Sequence, residues 1–247
     1  MAKNKKEVIM IKFNLLSIIL ILLSFSLVAF AQSNDDLHKR VENMHWTGQA
    51  SWRIDTEKMK IYIDPLQLPV DSPKADLIFI THSHGDHLSV ADIQKVANEN
   101  TLLIGPKSCE EDLYTTEIKK IQLVNSGDTL TIENIPVEVV LAYNVKKKYH
   151  PKEKKFVGYI LNIDGVKIYH SGDTDRIPEM KTFNCDVALL PLGQTYTMNS
   201  VQEAVDAVLD INPKIAIPMH YGMYEGKVED AQKFKQLLEG KVEVIIK

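Results

Sequence analysis

The chain has 247 residues, of which 45% are hydrophobic and 25% charged, as is usual for a globular protein. Its formal net charge is −4, and it becomes −7 if residues 1–31, which hold four lysines and one glutamate, are removed. An acidic chain lacks the basic face that nucleic acid requires, so we expect no nucleic-acid partner. Two cysteines, Cys109 and Cys185, are present. They either pair or are buried separately, and nothing in the sequence brings them together.

The N-terminal residues have the organisation of a secretory signal peptide. Four lysines precede an apolar stretch over residues 13–30, and Val28 and Ala31 occupy the −3 and −1 positions of a cut after residue 31. A basic start, an apolar middle and small residues before a cleavage site are the parts of such a leader. The sequence therefore predicts a signal peptide over residues 1–31 and an exported protein, either periplasmic or secreted.

Two features of this leader leave alternatives open. Glu7 is unusual in a basic leader, so Met10 is an alternative start to Met1. The apolar stretch is somewhat short for a membrane span of about 20 residues, and only an uncleaved leader would attach the protein to a membrane. Beyond the leader, a polar tether is expected over residues 32–43. Residues 44–247 contain no Gly/Ser linker, low-complexity tract or fixed repeat, which predicts a single domain.

Short β-rich runs dominate the first half of this domain. Residues 77–81 form a continuous apolar run, as expected for a strand buried on both faces. Asp164-Gly165 predicts a hairpin between two of the later strands. Strands are predicted at residues 60–64, 77–81, 101–104, 121–124, 129–132, 137–141, 158–163, 166–170, 187–190 and 215–217.

Three helices are predicted between or after these strands. Ser89 and Asp92 form one capping signature, Ser200 and Glu203 form another, and apolar residues at helical spacing follow the second. A third helix is predicted over residues 229–238. Strands in two clusters, each followed by helices, predict an α/β fold in which two sheets pack together with helices outside. This architecture is a four-layer αββα sandwich.

The segment His82-Ser83-His84-Gly85-Asp86-His87 directly follows the buried apolar run. In extended backbone, alternate side chains face the same way, so His82 and His84 can reach one metal ion. Gly85 allows the chain to turn, which leaves Asp86 and His87 free to face a second ion. Imidazole and carboxylate ligands suit zinc, with manganese and iron as alternatives.

The H-x-H-x-D-H pattern of this segment resembles the signature of the metallo-β-lactamase superfamily. The resemblance implies two further ligands, Asp173 in a Gly-Asp-Thr turn as the carboxylate that spans both ions and His220 as the last histidine. It covers roughly residues 44–246 and implies the same four-layer sandwich. Segments at residues 46–51, 63–65, 191–193 and 196–198 further resemble the branch of ascorbate-6-phosphate lactonase-like hydrolases.

The chain departs from that family at Asn144, which stands where the family often has a histidine ligand. An amide oxygen is a weak zinc ligand, so this departure weakens the metal site that His82 and His84 would form. His150, on the same loop, is an alternative source of the imidazole, or it faces solvent beside Pro151. A further alternative is a single-metal site. Its ligands would be Asp86, His87, Asp173 and His220.

The resemblance implies metal-assisted hydrolysis of a small-molecule substrate. One or two ions would lower the pKa of bound water from ~16 towards ~7, and this water would attack an ester, lactone, amide or phosphodiester. Asp86 would orient the nucleophile or accept its proton, and Tyr196 or Tyr221 would donate to the oxyanion. Because of Asn144, a catalytically degenerate metal-binding scaffold is the alternative. The fold alone does not select among these substrates.

Six lysines lie on the loop that carries His150. These are Lys146, Lys147, Lys148, Lys152, Lys154 and Lys155. They form either a solvated face or a cluster that attracts an anionic substrate.

Three features that look like site residues are expected to have other roles. His170 is expected to pack or hydrogen-bond in the core. His45 either lines the pocket or packs structurally. A second Gly-Asp-Thr triplet, at residues 127–129, precedes a strand rather than following one, and is therefore expected to be a turn.

Overall fold

The structure, a computed structural model, describes residues 35–247. The predicted signal peptide, residues 1–31, lies outside the described residues. Residues 35–42 of the predicted tether are helical and belong to a different compact unit from residues 43–247. In the described part of the chain, no helix combines the length and the apolar character that a membrane crossing requires.

Six strands form the first sheet, in the order β1-β2-β3-β4-β5-β6. They are β1 (Met44–Gly48), β2 (Ser51–Asp55), β3 (Lys60–Ile63), β4 (Leu77–Phe79), β5 (Leu102–Pro106) and β6 (Lys120–Val124). The first three pair antiparallel, and β3 to β6 pair in parallel. Helix α1 (Val90–Val96) follows β4, and the short helix α2 (Glu110–Tyr114) follows β5. All residues of β4 are buried, as its apolar run predicted.

Seven strands form the second sheet, in the order β13-β12-β11-β10-β9-β8-β7. They are β7 (Thr129–Ile132), β8 (Ile135–Leu141), β9 (Val157–Ile163), β10 (Val166–His170), β11 (Val187–Pro191), β12 (Ile215–Met219) and β13 (Glu243–Val244). Helix α3 (Val201–Ile211) precedes β12, and α4 (Val228–Leu237) follows it. The predicted hairpin joins β9 to β10. Its turn residues Asp164 and Gly165 have φ of 51° and 85°, since both central positions of this tight turn require positive φ.

The two sheets pack face to face with helices on the outside. The ring of Phe79 in β4 meets that of Tyr159 in β9 edge-on at 5.1 Å, and the Tyr159 hydroxyl donates to the carbonyl of Ile80 at 2.7 Å. On the opposite face of the first sheet, Ile78 packs in one buried cluster with Ile93 of α1. Helices α3 and α4 cover the second sheet in the same way. The predicted four-layer sandwich is therefore confirmed.

The capping signals predicted where α1 and α3 begin, and the third predicted helix, residues 229–238, differs from α4 by one residue at each end. The Ser89 hydroxyl accepts from the backbone N–H of Asp92, and the Ser200 hydroxyl accepts from that of Glu203, so both predicted caps are present. The strand patterns did not indicate β1 and β2, nor β13, which has only two residues. The helix patterns did not indicate α2, which has five. Cys109 and Cys185 are both free and buried. Of the two alternatives for the cysteines, separate burial is therefore the one that the structure has.

Candidate metal centre

The predicted metal ligands come together where several strands end. The loop after β4 carries four of them, and the loops after β8, β10 and β12 carry one each: His82, His84, Asp86, His87, His150, Asp173 and His220. Strands β10, β11 and β12 run parallel, and β8 runs in the same direction because two antiparallel pairings separate it from β10. Carboxyl ends of strands that point the same way share one edge, where open α/β sheets bind ligands.

Three histidines form the first group of candidate ligands. Nδ1 of His84 lies 3.1 Å from Nε2 of His82 and 3.2 Å from Nε2 of His150. His82 and His150 are buried, with 1% of each exposed, whereas His84 is exposed. One nitrogen from each ring lies within 4.8 Å of the others, which is close enough for all three to hold one ion. We call these residues the first group.

Asp86, His87 and His220 form the second group, whose ligand atoms also lie within 4.8 Å of one another. Asp173 lies between the groups. Its Oδ1 is 3.2 Å from Nε2 of His87 and 3.1 Å from Nε2 of His220, and its Oδ2 is 3.3 Å from Nε2 of His150. Each oxygen of this one carboxylate therefore faces a different group.

Two buried atoms at the centre of the cluster favour a bound cation. Nε2 of His87 and Oδ1 of Asp173 have no partner in hydrogen-bonding geometry within the described part of the chain. Burying a polar atom without a partner costs free energy, and such atoms in native proteins usually have an explanation, for example an ion. Imidazole nitrogens and carboxylate oxygens are the donors that zinc and neighbouring transition metals take. The residues present thus fit a metal.

Three side chains outside the cluster orient the histidines. Oδ2 of Asp64 lies 2.7 Å from Nδ1 of His87, and Oδ1 of Asn144 lies 3.1 Å from Nδ1 of His150. Oε1 of Glu225 lies 2.8 Å from Nδ1 of His220, in ion-pair contact but outside the geometry of a linear hydrogen bond. These contacts engage Nδ1 and leave Nε2 for the cluster, as the partners of metal-binding histidines usually do.

The position of Asn144 corrects the sequence analysis. Its amide nitrogen donates to Oδ1 of Asp175 at 2.9 Å and to the carbonyl of Tyr196 at 3.0 Å, so the side chain is already engaged. Its oxygen accepts from the backbone N–H of His150 at 3.0 Å. Asn144 therefore does not stand in the ligand position as a weak substitute. It turns the loop so that His150 enters the first group, and the alternative in which His150 faces solvent is wrong.

Burial and charge act differently on the two groups. Burial lowers the pKa of His82 well below its usual value, which keeps the imidazole in the neutral form that binds metals. Burial alone would also lower the pKa of His220, but Asp173 and Glu225 raise it to about 9. Burial alone would raise the pKa of Asp173, but His220 and His87 hold it well below its usual value. These shifts favour an ionised Asp173 carboxylate between the two groups.

A cavity of about 420 Å³ opens over the cluster. Its lining includes His84, Asp86, His150 and Asp173 from the cluster, with Tyr149, Tyr196 and Tyr224 as aromatic walls. The rings of Tyr149 and Tyr196 meet edge-on at 4.8 Å. The structure therefore brings Tyr196, a predicted catalytic residue, to the cavity.

The other predicted tyrosine lies elsewhere. Tyr221 is 6% exposed, and its ring stacks on Trp46 at 4.9 Å within the core cluster beneath α3 and α4. The described residues that line the cavity do not include Tyr221, and its expected donation to an oxyanion stays a prediction. The motif position could not reveal this packing, because adjacency to the candidate ligand His220 does not fix the direction of the Tyr221 ring.

Sequence reasoning also missed Gln49, which lies in the turn between β1 and β2. Its amide nitrogen is 3.0 Å from Oδ2 of Asp86 and 2.8 Å from Nε2 of His220, and the residue is fully buried. Gln49 and Asp64 both fell within segments that carried the family resemblance, but neither had a role there. Tyr149, Tyr224 and Glu225 carried no motif at all, since their positions depend on loops that are distant in sequence.

The features expected to have other roles lie where packing or turn formation requires them. Nε2 of His170 is 2.8 Å from the carbonyl of Ala50 in the core, as predicted. Nε2 of His45 lies 3.5 Å from Oδ2 of Asp55 at the surface, and the described residues that line the cavity do not include His45, which favours the structural role. In the second Gly-Asp-Thr triplet, Asp128 accepts from the backbone N–H of Asn125 at 2.7 Å just before β7, so the predicted turn is confirmed.

The lysine loop is partly structural. Lys147 donates to the carbonyls of Thr197 and Met198, and Lys152 pairs with Glu179 at 2.9 Å. The remaining four lysines of the loop are exposed.

Two sheets packed between helices, with a histidine and aspartate cluster at the strand ends, define a metal-dependent hydrolase of the metallo-β-lactamase fold. The Beta-lactamase superfamily domain matches residues 43–220, and the chain belongs to this superfamily. The family match and the relatives below confirm the predicted superfamily and the predicted enzyme class.

The relatives agree in name and in fold. A protein of Archaeoglobus fulgidus named UPF0173 metal-dependent hydrolase is 34% identical, over 81% of this chain and 94% of its own. A protein of the same name from Staphylothermus marinus is 36% identical, over 75% and 84%. The crystal structure of a Parabacteroides distasonis protein has a TM-score of 0.74 and 35% identity, over 83% and 91%. None of these names tests the narrower resemblance to ascorbate-6-phosphate lactonase-like hydrolases, which stays a prediction.

Proposed function

We propose that this metal-dependent hydrolase uses two ions, with zinc as the preferred metal. The first group would hold one ion, the second group would hold the other, and Asp173 would contact both. The observation that carries the proposal is the position of Asp173, whose two oxygens face different groups at 3.1 to 3.3 Å. The predominance of imidazole nitrogen among the ligands favours zinc over manganese, and iron is the alternative.

Bound ions would lower the pKa of a water molecule and polarise the oxygen of the bond to be cleaved. The side chains that face the cavity would orient the water, accept its proton and stabilise the oxyanion. Asp86, whose side chain is 27% exposed, would orient the attacking water and accept its proton, while Gln49 fixes one of its oxygens. Tyr196 would donate to the oxyanion from the cavity wall, since hydrogen-bond donors placed where charge develops lower the barrier.

The substrate would be a small molecule with an ester, lactone, amide or phosphodiester bond. The cavity volume of about 420 Å³ lies within the range of small-molecule sites, roughly 300–1,000 Å³. Four exposed lysines, Lys146, Lys148, Lys154 and Lys155, lie on the loop that supplies His150 and would attract an anionic substrate. A screen of the zinc-loaded protein on lactone, phosphodiester and β-lactam substrates would identify the class.

Metal stoichiometry tests the proposal directly. Mass spectrometry of the zinc-loaded protein should find about two ions per chain. Asp173→Ala should lose metal and hydrolysis, because it removes the carboxylate between the groups. Asp128→Ala is the matched control, since it changes the same residue of the other Gly-Asp-Thr triplet in a turn before β7. One ion per chain would support the single-metal alternative, and no uptake would favour the degenerate scaffold.

We also propose that the protein is exported, with cleavage after Ala31. The proposal rests on the basic, apolar and small residues of the leader. N-terminal sequencing of protein from the periplasm or medium should begin at Gln32, whereas an intact leader on cytoplasmic protein would contradict export.

A further inference from the structure

The segment of residues 195–197, which carries the Tyr196 wall of the cavity, is held from both sides. On one side, Oε2 of Glu225 accepts from the backbone N–H groups of Thr195 at 2.8 Å and Tyr196 at 2.6 Å, and Oε1 accepts from the Thr197 hydroxyl at 2.9 Å. On the other side, the amide of Asn144 donates to the Tyr196 carbonyl at 3.0 Å. Both backbone polar groups of Tyr196 are thus bound to buried side chains. We call residues 195–197 the Tyr196 segment.

The same two side chains also orient the candidate ligands. Glu225 lies 2.8 Å from His220 of the second group, and Asn144 lies 3.1 Å from Nδ1 of His150 in the first group. Each side chain therefore has one end on a histidine and the other on Tyr196. A shift of either histidine moves its orienting partner, and with it the backbone of the cavity wall.

We propose that Glu225 and Asn144 are positioning residues that couple the two metal groups to the Tyr196 segment, so that ion binding and ordering of this cavity wall favour each other. The inference rests on the proposed two-metal function, because it requires ions at His150 and His220. Coupling of this kind is reciprocal: the factor by which ordering of the wall strengthens ion binding equals the factor by which ion binding favours the ordered wall.

The chemistry of Glu225 suits this task. Its side chain is fully buried, and its carboxylate faces four donor groups, two on each oxygen. An amide has one acceptor oxygen and one donor nitrogen. Glutamine at this position would therefore turn an NH₂ group toward either the histidine or the segment.

Gly193 shows that the chain reserves space for this carboxylate. A Cβ atom at Gly193 would overlap the carboxylate of Glu225. Displacement of Glu225 would break its hydrogen bonds to the backbone N–H groups of both Thr195 and Tyr196. The absence of a side chain at Gly193 is thus part of the same arrangement.

Hydrogen exchange measured by NMR, with and without zinc, tests the coupling. In the wild type, zinc should slow exchange of the Thr195 and Tyr196 amide protons. In Glu225→Gln these amides should exchange faster than in the wild type and no longer respond to zinc, and zinc affinity should fall about 10-fold or more. Asn144→Ala should also reduce the slowing of exchange by zinc, because it removes the hydrogen bond to the Tyr196 carbonyl.

Glu203→Gln is the matched control. Glu203 accepts from the backbone N–H of Asn199, on the same connection between β11 and α3, and from that of Arg176. Its replacement should leave zinc affinity and the exchange of both amides unchanged. If Glu225 had only a structural role, its replacement would lower the stability of the protein. Zinc would then not change the exchange of the Thr195 and Tyr196 amide protons, even in the wild type.

The outcomes separate the two proposals. A wild type that takes up no zinc would overturn the two-metal function and the coupling together. A wild type that binds zinc without any change in the exchange of Thr195 and Tyr196 would overturn the coupling alone. This comparison needs no variant, so it stands even if Glu225→Gln does not fold.

Discussion

The carboxylate of Asp64 lies 2.7 Å from Nδ1 of His87, and neither side chain is exposed. The same carboxylate accepts from the backbone N–H of Thr81 at 2.8 Å and from its hydroxyl at 2.6 Å. Asp64 directly follows β3, and Thr81 directly precedes His82 in the loop after β4. One buried side chain therefore fixes both the path of the loop after β4, which carries four candidate ligands, and the orientation of His87 in that loop.

Asp64→Asn should lower zinc affinity by about 10–100-fold, because partners that orient metal-binding histidines typically contribute this much. Asparagine keeps one acceptor oxygen, but its NH₂ group would face either His87 or Thr81, which both need an acceptor. Zinc titration by calorimetry measures the effect. Asp76→Asn is the control, since Asp76 is exposed and accepts from the backbone N–H of Lys60. Equal zinc affinity in the two variants would rule out the orienting role of Asp64.

His150→Ala should reduce bound zinc from about two ions to about one, since it removes one of three imidazoles of the first group. The second group should keep its ion, because Asp86, His87 and His220 are unchanged. Metal analysis of the purified, zinc-loaded variant checks the number. His45→Ala is the matched control, because His45 pairs with Asp55 at the surface. If His150→Ala retained two ions, Asn144 rather than His150 would have to complete the first site.

The parts of the site that the sequence predicted are those that depend on local chain geometry. His82, His84, Asp86 and His87 follow a strand whose apolar run was evident, so both the strand and the loop after it could be placed. Asp173 and His220 are instead implied by the resemblance to the metallo-β-lactamase superfamily, whose motifs occur in the same order along this chain. Both capping signals were likewise local, because each joins residues three positions apart.

The parts that the sequence did not predict depend on contacts between distant segments. Asp64 and His87 are 23 residues apart, and Asn144 and Tyr196 are 52 apart, so neither pairing leaves a periodic signal. From the sequence alone Asn144 is expected to be a poor ligand, because its position matches that of a family histidine. Only the folded loop shows that its amide turns His150 inward. The packing of Tyr221 on Trp46 is a further example, since adjacency to His220 gives no information on the direction of the tyrosine ring.

Asp92 provides a test of stability away from the metal centre. Its carboxylate accepts from the backbone N–H groups of Gln67 at 2.9 Å and Leu68 at 2.8 Å, and it pairs with Lys95 at 2.9 Å. Burial alone would raise the pKa of Asp92, but the hydrogen bonds from Lys95, Ser89 and the two backbone groups outweigh it and lower the pKa below 3.8. Asp92→Asn should therefore reduce the free energy of unfolding near neutral pH by about 1–3 kcal/mol.

The pH dependence of this loss has a definite sign. Because the folded pKa of Asp92 is lowered, its contribution is fully present above the unfolded value of 3.8 and is lost as pH falls through the folded value. The difference between wild type and Asp92→Asn should thus be largest at about pH 7 and shrink towards about pH 3. Urea denaturation of both proteins at each pH measures it, and titration of the metal centre cancels in the comparison. A difference that grew on acidification would contradict the assignment.

Gly172, which precedes Asp173, combines backbone strain with close packing. Its φ is +59°, and a Cβ atom there would lie 2.8 Å from the carbonyl oxygen of Val157 and 3.0 Å from Cβ of Thr81. Gly165 has a φ of +85°, but its Cβ atom would meet no atom of the described residues within 4 Å. The two glycines therefore differ in crowding and share the left-handed backbone.

Gly165→Ala should cost about 1–2 kcal/mol in the free energy of unfolding, which is the strain of a left-handed L-residue. Gly172→Ala should cost this amount and about 1–3 kcal/mol more, because backbone atoms cannot move aside as a flexible side chain would. It should also lower zinc affinity, since relief of the clash moves Asp173 away from both groups. Denaturant unfolding of the metal-free proteins separates the stability effect from the metal effect. Equal losses in the two variants would show that the Gly172 turn tolerates a methyl group and that Asp173 does not depend on the close approach to Thr81.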